Sequence, residues 1–107
     1  MEYDVIIVGA GPGGIFAAYE LTEKRPELKI AVFEVGHPLA KRHCPIDGKK
    51  ITSCVGCKSC SIMSGFGGAG AFSDGKYNIT NSFGGTLHEH IGKQQALELM
   101  KYVDEIN

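Results

Sequence analysis

The sequence predicts an α/β fold that begins with a parallel strand–helix–strand crossover. Three observations predict it: a β-branched apolar run at 5–8, helically spaced apolar residues from 12 to 24 directly behind a group of glycines, and a second apolar run at 29–35. Val5 to Val8 is four consecutive β-branched residues, the pattern of a strand covered on both faces, as in a parallel sheet. From Pro12 to Lys24 the residues Ile15, Phe16, Ala18, Tyr19 and Leu21 recur at helical spacing, and Pro12 suits a first turn. Arg25-Pro26 closes that helix, because the residue before a proline is pushed out of the helical region. Lys29 to Val35 then reads as the second buried strand, and strand, helix and strand within about 30 residues make the βαβ unit.

Beyond Gly36 the pattern weakens. Residues 37–86 hold Pro38, Pro45, all four cysteines and most of the glycines, and neither period persists; irregular stretches of that length are commonly functional or ordered by a ligand. Asp74-Gly75 reads as a turn ahead of a short strand at Lys76–Ile79. From about Gly92 to Ile106, the residues Ala96, Leu99, Met100, Val103 and Ile106 form the stripe of an amphipathic helix. One crossover, a loop rich in glycine and cysteine and one helix with an uncovered stripe make less than a whole sheet domain. The expectation is that residues 1–107 are the N-terminal part of a larger Rossmann-like domain.

Eleven Lys and Arg against twelve Asp and Glu leave a net charge of −1, which gives no reason to expect nucleic acid or an anionic membrane as partner. No 18-residue apolar run exists, so no span is expected. The N-terminal apolar stretch starts beside Glu2 and Asp4 and runs into glycines, unlike a signal peptide, so a cytoplasmic location is expected. In that setting four cysteines are thiols, metal ligands or redox groups rather than a disulfide framework.

Gly9-Ala10-Gly11-Pro12-Gly13-Gly14 fits G-x-G-x-x-G and lies between a predicted strand and a predicted helix, the context that gives the motif meaning. Gly9 permits the tight turn, Gly11 lets the backbone approach a pyrophosphate, and Gly14 lets the helix pack against the strand. Amides at the helix start, aided by the helix dipole, bind a diphosphate; Pro12 has none to give, which leaves Gly13 and Gly14 as donors. Glu34 ends the second strand 20 residues after Gly14, where a dinucleotide site places the acid that accepts from ribose hydroxyls. Its charge would repel a 2′-phosphate, so FAD and NAD fit better than NADP. The competing readings are a tight turn followed by an exposed glutamate, and the glycine-rich turn that adenosyl-donor methyltransferases also carry.

DVIIVGAGPGGIFAAYEL followed by VFEVG resembles the N-terminal FAD-binding segment of glutathione reductase-type flavoproteins. IMSGFGGAGAFSDGKYN, with the later Gly84-Gly85, resembles the uncharacterized FAD-dependent dehydrogenases of that superfamily. The resemblance implies a longer parent protein with a discontinuous FAD domain and a separate substrate domain. It matches Gly9, Gly11 and Gly14 to the diphosphate loop and Glu34 to the ribose acid. Arg42 falls where many relatives carry an arginine near the adenosine or diphosphate; the competing reading is a solvated basic loop, since Lys41, Arg42, Lys49, Lys50 and Lys58 face only Asp47 among acids between 41 and 58. The resemblance also implies that the loop at Gly65–Gly70, with Gly67 and Gly68, approaches the flavin. The spacing alone equally suits a corner where two backbones meet.

Cys54, Cys57 and Cys60 form C-x2-C-x2-C, and Cys44 lies ten residues earlier beside Pro45. Such thiolates can wrap an iron–sulfur cluster with Cys44 as fourth ligand. They can also hold zinc, with His43 as an alternative, form a redox pair that passes electrons to a flavin, or remain reduced thiols packed as small apolar groups. No metal is assigned among them. His88 and His90, two apart, face different directions on a helix and form no ligand pair. The functional expectation is the FAD-binding portion of a flavin-dependent oxidoreductase acting on an unknown small-molecule substrate or electron acceptor, together with the rest of its parent polypeptide. The alternatives are an NAD-binding dehydrogenase domain and a small nucleotide-binding or electron-transfer module with a cysteine-bound metal. No catalytic acid or base is assigned.

Overall fold

The computed structural model describes residues 1–106, which form two compact units, Met1–Ser73 and the chain from Asp74 onward. In the first unit, β1 (Val5–Val8) and β2 (Ile30–Phe33) pair in parallel, with Val5 opposite Ile30 and Val8 opposite Phe33. The second strand is shorter at both ends than the apolar run 29–35. At one end the Lys29 amide donates to the Asp4 carboxylate at 2.8 Å; at the other Glu34 turns to serve the loop after β1. The crossover helix α1 (Pro12–Lys24) has proline in its first turn and ends at Arg25, whose amide still reaches the Leu21 carbonyl at 2.7 Å before Pro26 stops the ladder.

α1 lies against one face of the sheet. A Cβ added at Gly14 would overlap the Gly9 carbonyl oxygen and stand 3.2 Å from Ile7 Cγ2, so only glycine lets helix and strand come this close. The other face is uncovered, which corrects the expectation that both faces of β1 are buried: Ile6 is 60% exposed and Val8 87%, with Phe33, the residue opposite Val8, at 57%. The continuous β-branched run carries the apolar surface for two covering layers, and residues 1–106 supply one.

Residues 34–73 contain only two short 3-10 turns, Leu39–Lys41 and Ala69–Phe72. Their order comes from side chains. The Asp47 carboxylate accepts from the amides of Lys49, Lys50 and Ile51 at 2.8–3.0 Å, and these bonds, Ile51 first, hold its pKa below the usual carboxylate value. Arg42 organises the rest and is described with the site.

In the second unit, Asp74 accepts from the Lys76 amide at 3.1 Å and forms the expected turn. No strand follows: Lys76–Ile79 runs without a pairing partner, so its alternation finds no ladder to join. Two helices come next, α2 (Leu87–Ile91) and α3 (Lys93–Ile106), divided at Gly92, whose φ of 84° breaks the ladder. Its amide closes α2 on His88 O at 3.0 Å, and its carbonyl opens α3 by accepting from Ala96 N at 3.1 Å. α3 matches the expected span and the expected stripe at every position but one: Ala96 is fully buried and Ile106 half-buried, while Leu99 is 46% exposed. Leu97, Met100 and Val103 are half-buried.

Candidate functional site

The candidate site is the loop between β1 and α1 together with the carboxylate at the end of β2. Gly9 has φ 101°, a conformation side chains disfavour, and its amide donates to Phe33 O at 2.7 Å. Ala10 is 1% exposed, so the position between the first two glycines has room for a methyl group and little more. Gly11 caps α1 without a side chain, and no side-chain hydrogen bond closes the helix. Ile15 N makes the first bond of the helix, to Gly11 O at 3.0 Å. The amides of Gly13 and Gly14 precede that bond and have no acceptor within the helix. They remain as donors at the positive end of a 13-residue helix dipole.

Glu34 is half-buried beside this loop. One carboxylate oxygen accepts from Ala10 N and the other from Gly36 N, each at 2.8 Å. These bonds, Gly36 first and Ala10 second, hold its pKa below the usual carboxylate range, with smaller contributions from the Gly65 amide and the Arg42 charge. Glu34 is therefore an anion fixed in place. Two amide bonds leave each oxygen a further acceptor position, so the carboxylate can still receive hydroxyl donors. Next to it opens a cavity of about 380 Å³ lined by Val32, Glu34, Gly36, His37, Pro38, Leu39 and Phe66. Its walls are apolar and aromatic and it carries one fixed charge.

Arg42 is 5% exposed, which overturns the picture of a solvated basic loop at this position. Its Nε donates to Ser61 O at 2.8 Å and its terminal nitrogens to Phe66 O, Gly68 O and Ile62 O at 2.7–2.8 Å. Phe72 stacks on the guanidinium at 4.8 Å. Four of its five N–H groups are spent on carbonyls, so Arg42 is a positioning residue that shapes the loop at 61–68. A Cβ at Gly65 would lie 2.6 Å from Arg42 Cδ and 2.7 Å from the His37 carbonyl oxygen, so the packed arginine leaves room only for glycine there.

The shaped loop rests on the first one. Gly67 N donates to Ala10 O at 2.8 Å, and Gly68 packs against Gly11 and Pro12, where an added Cβ would stand 3.2 Å from each. The Gly68 amide is taken by Gly65 O at 2.9 Å. The structure thus brings Gly9, Gly11, Gly13, Gly14, Glu34, Gly67 and Gly68 together, with Arg42 behind them. The amides of Gly67 and Gly68 are engaged within the protein, and here two backbones do meet. Gly36 is a contributor that sequence reasoning missed: its amide holds Glu34, and a Cβ there would press on the backbone of Ser64 and Gly65. Its only sequence signal is a glycine directly after the second strand.

All four cysteines are free thiols, Cys44 half-buried and the others exposed. They line one cavity of about 100 Å³, walled elsewhere by Pro45, Ile46, Val55, Gly56 and Ser61. His43 is exposed and does not line it. The amides of Met63 and Ile62, aided by the Arg42 charge, pull the Cys60 thiol below its usual pKa. Among the described residues no three His, Cys, Asp or Glu side chains are grouped to hold one metal ion. His88 and His90 both fall on the short helix α2. No described helix is long and apolar enough to cross a membrane.

Comparison with known proteins finds similarity in the N-terminal part of the chain. The Thi4 family matches residues 1–39, the stretch from the N-terminus through β1, α1, β2 and Glu34. The thiamine thiazole synthase of Phaeosphaeria nodorum is 60% identical over 35 residues, 33% of this chain and 11% of that protein. Those of Yarrowia lipolytica and Schizosaccharomyces pombe are 57% identical over 35 residues and 54% over 33, covering 33% and 31% of this chain. No solved structure matches. The chain spans about a tenth of the length of these relatives, and its similarity to them is confined to the crossover and its glycine loop.

Proposed function

We propose that Met1–Ser73 binds the adenine dinucleotide half of FAD in a flavin-dependent oxidoreductase. The uncapped start of α1 carries this reading, because its free amides of Gly13 and Gly14 lie beside a carboxylate anchored to Ala10 in the same loop. The diphosphate sits on those amides, with Gly9 and Gly11 providing close approach. Glu34 accepts the ribose hydroxyls, and the cavity between Val32, Leu39 and Phe66 takes the adenine. Gly67 and Gly68 hold the wall over the glycine loop, and Arg42 fixes that wall. The residues fit the cofactor on donor chemistry: unshielded amides for phosphate and a fixed acid for a diol, which disfavours a 2′-phosphate.

Flavin, when bound, supplies the hydride or electron chemistry; these residues bind and orient it. The relatives named thiamine thiazole synthase match only through residue 39, so the shared part is the nucleotide grip rather than the chemistry of thiazole synthesis. The substrate, the electron acceptor and the remaining layers of the domain belong to the rest of the polypeptide in this reading. Spectra of the intact protein, with chromatography of the cofactor released on denaturation, test it. The expected result is FAD at about one per chain. NAD binding with no flavin in any preparation would replace this reading with the NAD-dependent one.

A further inference from the structure

We propose that the cavity enclosed by Cys44, Cys54, Cys57 and Cys60 is the site of a [4Fe–4S] cluster, a second cofactor site independent of the nucleotide loop. Four thiols from two separate segments line the same small space although they make no disulfide. The spacing C-x2-C-x2-C lets a tight loop present three thiolates around one object, with a fourth supplied from a distance beside a proline. Gly56, between the first two, has φ 69°, which is the turn such a wrap needs.

The dimensions choose between a cluster and a single ion. Tetrahedral zinc draws its sulfurs to about 2.3 Å from the metal and leaves no cavity between them. Here the four thiols line a space of about 100 Å³, several times the roughly 10–15 Å³ that one water needs. In a cubane each iron takes one thiolate, so the four ligands stand apart around its corners.

The surroundings suit an anionic cluster. Gly56 N donates to Cys54 Sγ at 3.5 Å. Five basic residues against one acid between 41 and 58 supply compensating charge. Pro45, Ile46 and Val55 give the pocket apolar walls.

The test is anaerobic purification of the intact protein, followed by assay of iron and acid-labile sulfide and by electron paramagnetic resonance after dithionite. Roughly four iron and four sulfide per chain are expected, with visible absorption that bleaches on reduction. Cys54→Ser, Cys57→Ser and Cys60→Ser should each cut bound iron by at least about fourfold, while Ser59→Ala, which does not line the cavity, should leave it unchanged. Flavin content, measured on the same samples, separates failure of this site from failure of the nucleotide site. Iron X-ray absorption of the unmutated protein should show sulfur neighbours with iron beyond them, which keeps the proposal testable should the variants not fold. Zinc at one per chain without sulfide, iron retained in all three serine variants, or no metal with all four thiols titratable would each overturn it.

Discussion

The two halves of the first unit are ordered by different physics. Residues 5–36 are held mainly by a regular ladder and a helix, whose backbone groups pair by periodicity. Residues 37–73 have almost no regular structure, and a single buried guanidinium collects carbonyls from Ser61, Ile62, Phe66 and Gly68 in their place. The first arrangement spreads its stability over many weak, interchangeable bonds; the second concentrates it in one side chain. A loop ordered this way can be as well defined as a helix and far more fragile to one substitution.

Arg42→Met is the largest way to break that contrast. It should cost about 3–5 kcal/mol in urea unfolding of the intact protein, because charge-assisted hydrogen bonds contribute about 1.5–3 kcal/mol each and four carbonyls lose their donor. New proteolytic cleavage should appear between residues 43 and 68. Arg42→Lys should recover little, since an ammonium cannot present a planar fork. A loss below about 1 kcal/mol would mean the second half has other supports.

Gly14→Ala comes next, at about 2–3 kcal/mol, because the methyl group meets the Gly9 carbonyl rather than a flexible side chain. Nucleotide content should fall with it. Gly11→Ala sharpens the comparison: nothing lies within 4 Å of an added Cβ and its φ of −80° suits alanine. Stability should change by less than about 0.5 kcal/mol. Flavin affinity should drop about tenfold or more, as the methyl group occupies the approach to the diphosphate. Equal losses in stability for Gly11→Ala and Gly14→Ala would remove the distinction between a packing glycine and a ligand glycine.

The smallest effect concerns acid. The folded pKa of Glu34 is depressed by amide bonds, so its contribution is complete above the ordinary carboxylate pKa and is lost as pH falls through the folded value. Glu34→Gln should flatten the acid arm of the stability–pH curve in that window and leave the neutral arm with its slope unchanged. An unchanged acid arm would show that the Ala10 and Gly36 bonds do not depend on the charge.

The crossover was legible from sequence because its signals are local: β-branched run, glycines, helical stripe, acid, each within reach of its neighbours along the chain. Arg42 was visible as a residue, but its role was not, since its partners lie 19 to 26 residues away and are carbonyls, which every residue has. The strand expected at Lys76–Ile79 failed for a related reason: alternation describes a face, while a strand also needs a neighbour. The stripe on α3 was legible at Ala96, Met100, Val103 and Ile106 and wrong only at Leu99, because Leu97 and Leu99 are equally apolar and packing alone decides between them.

The uncovered face of the two-stranded sheet has a practical outcome. A plane of Ile6, Val8 and Phe33 beside an unpaired strand edge is the surface on which chains stick to one another. Overproduced without further sequence to shield it, this polypeptide should scatter light increasingly with concentration and partition into inclusion bodies. Replacing Val8, the most exposed of the three, with lysine should raise its solubility.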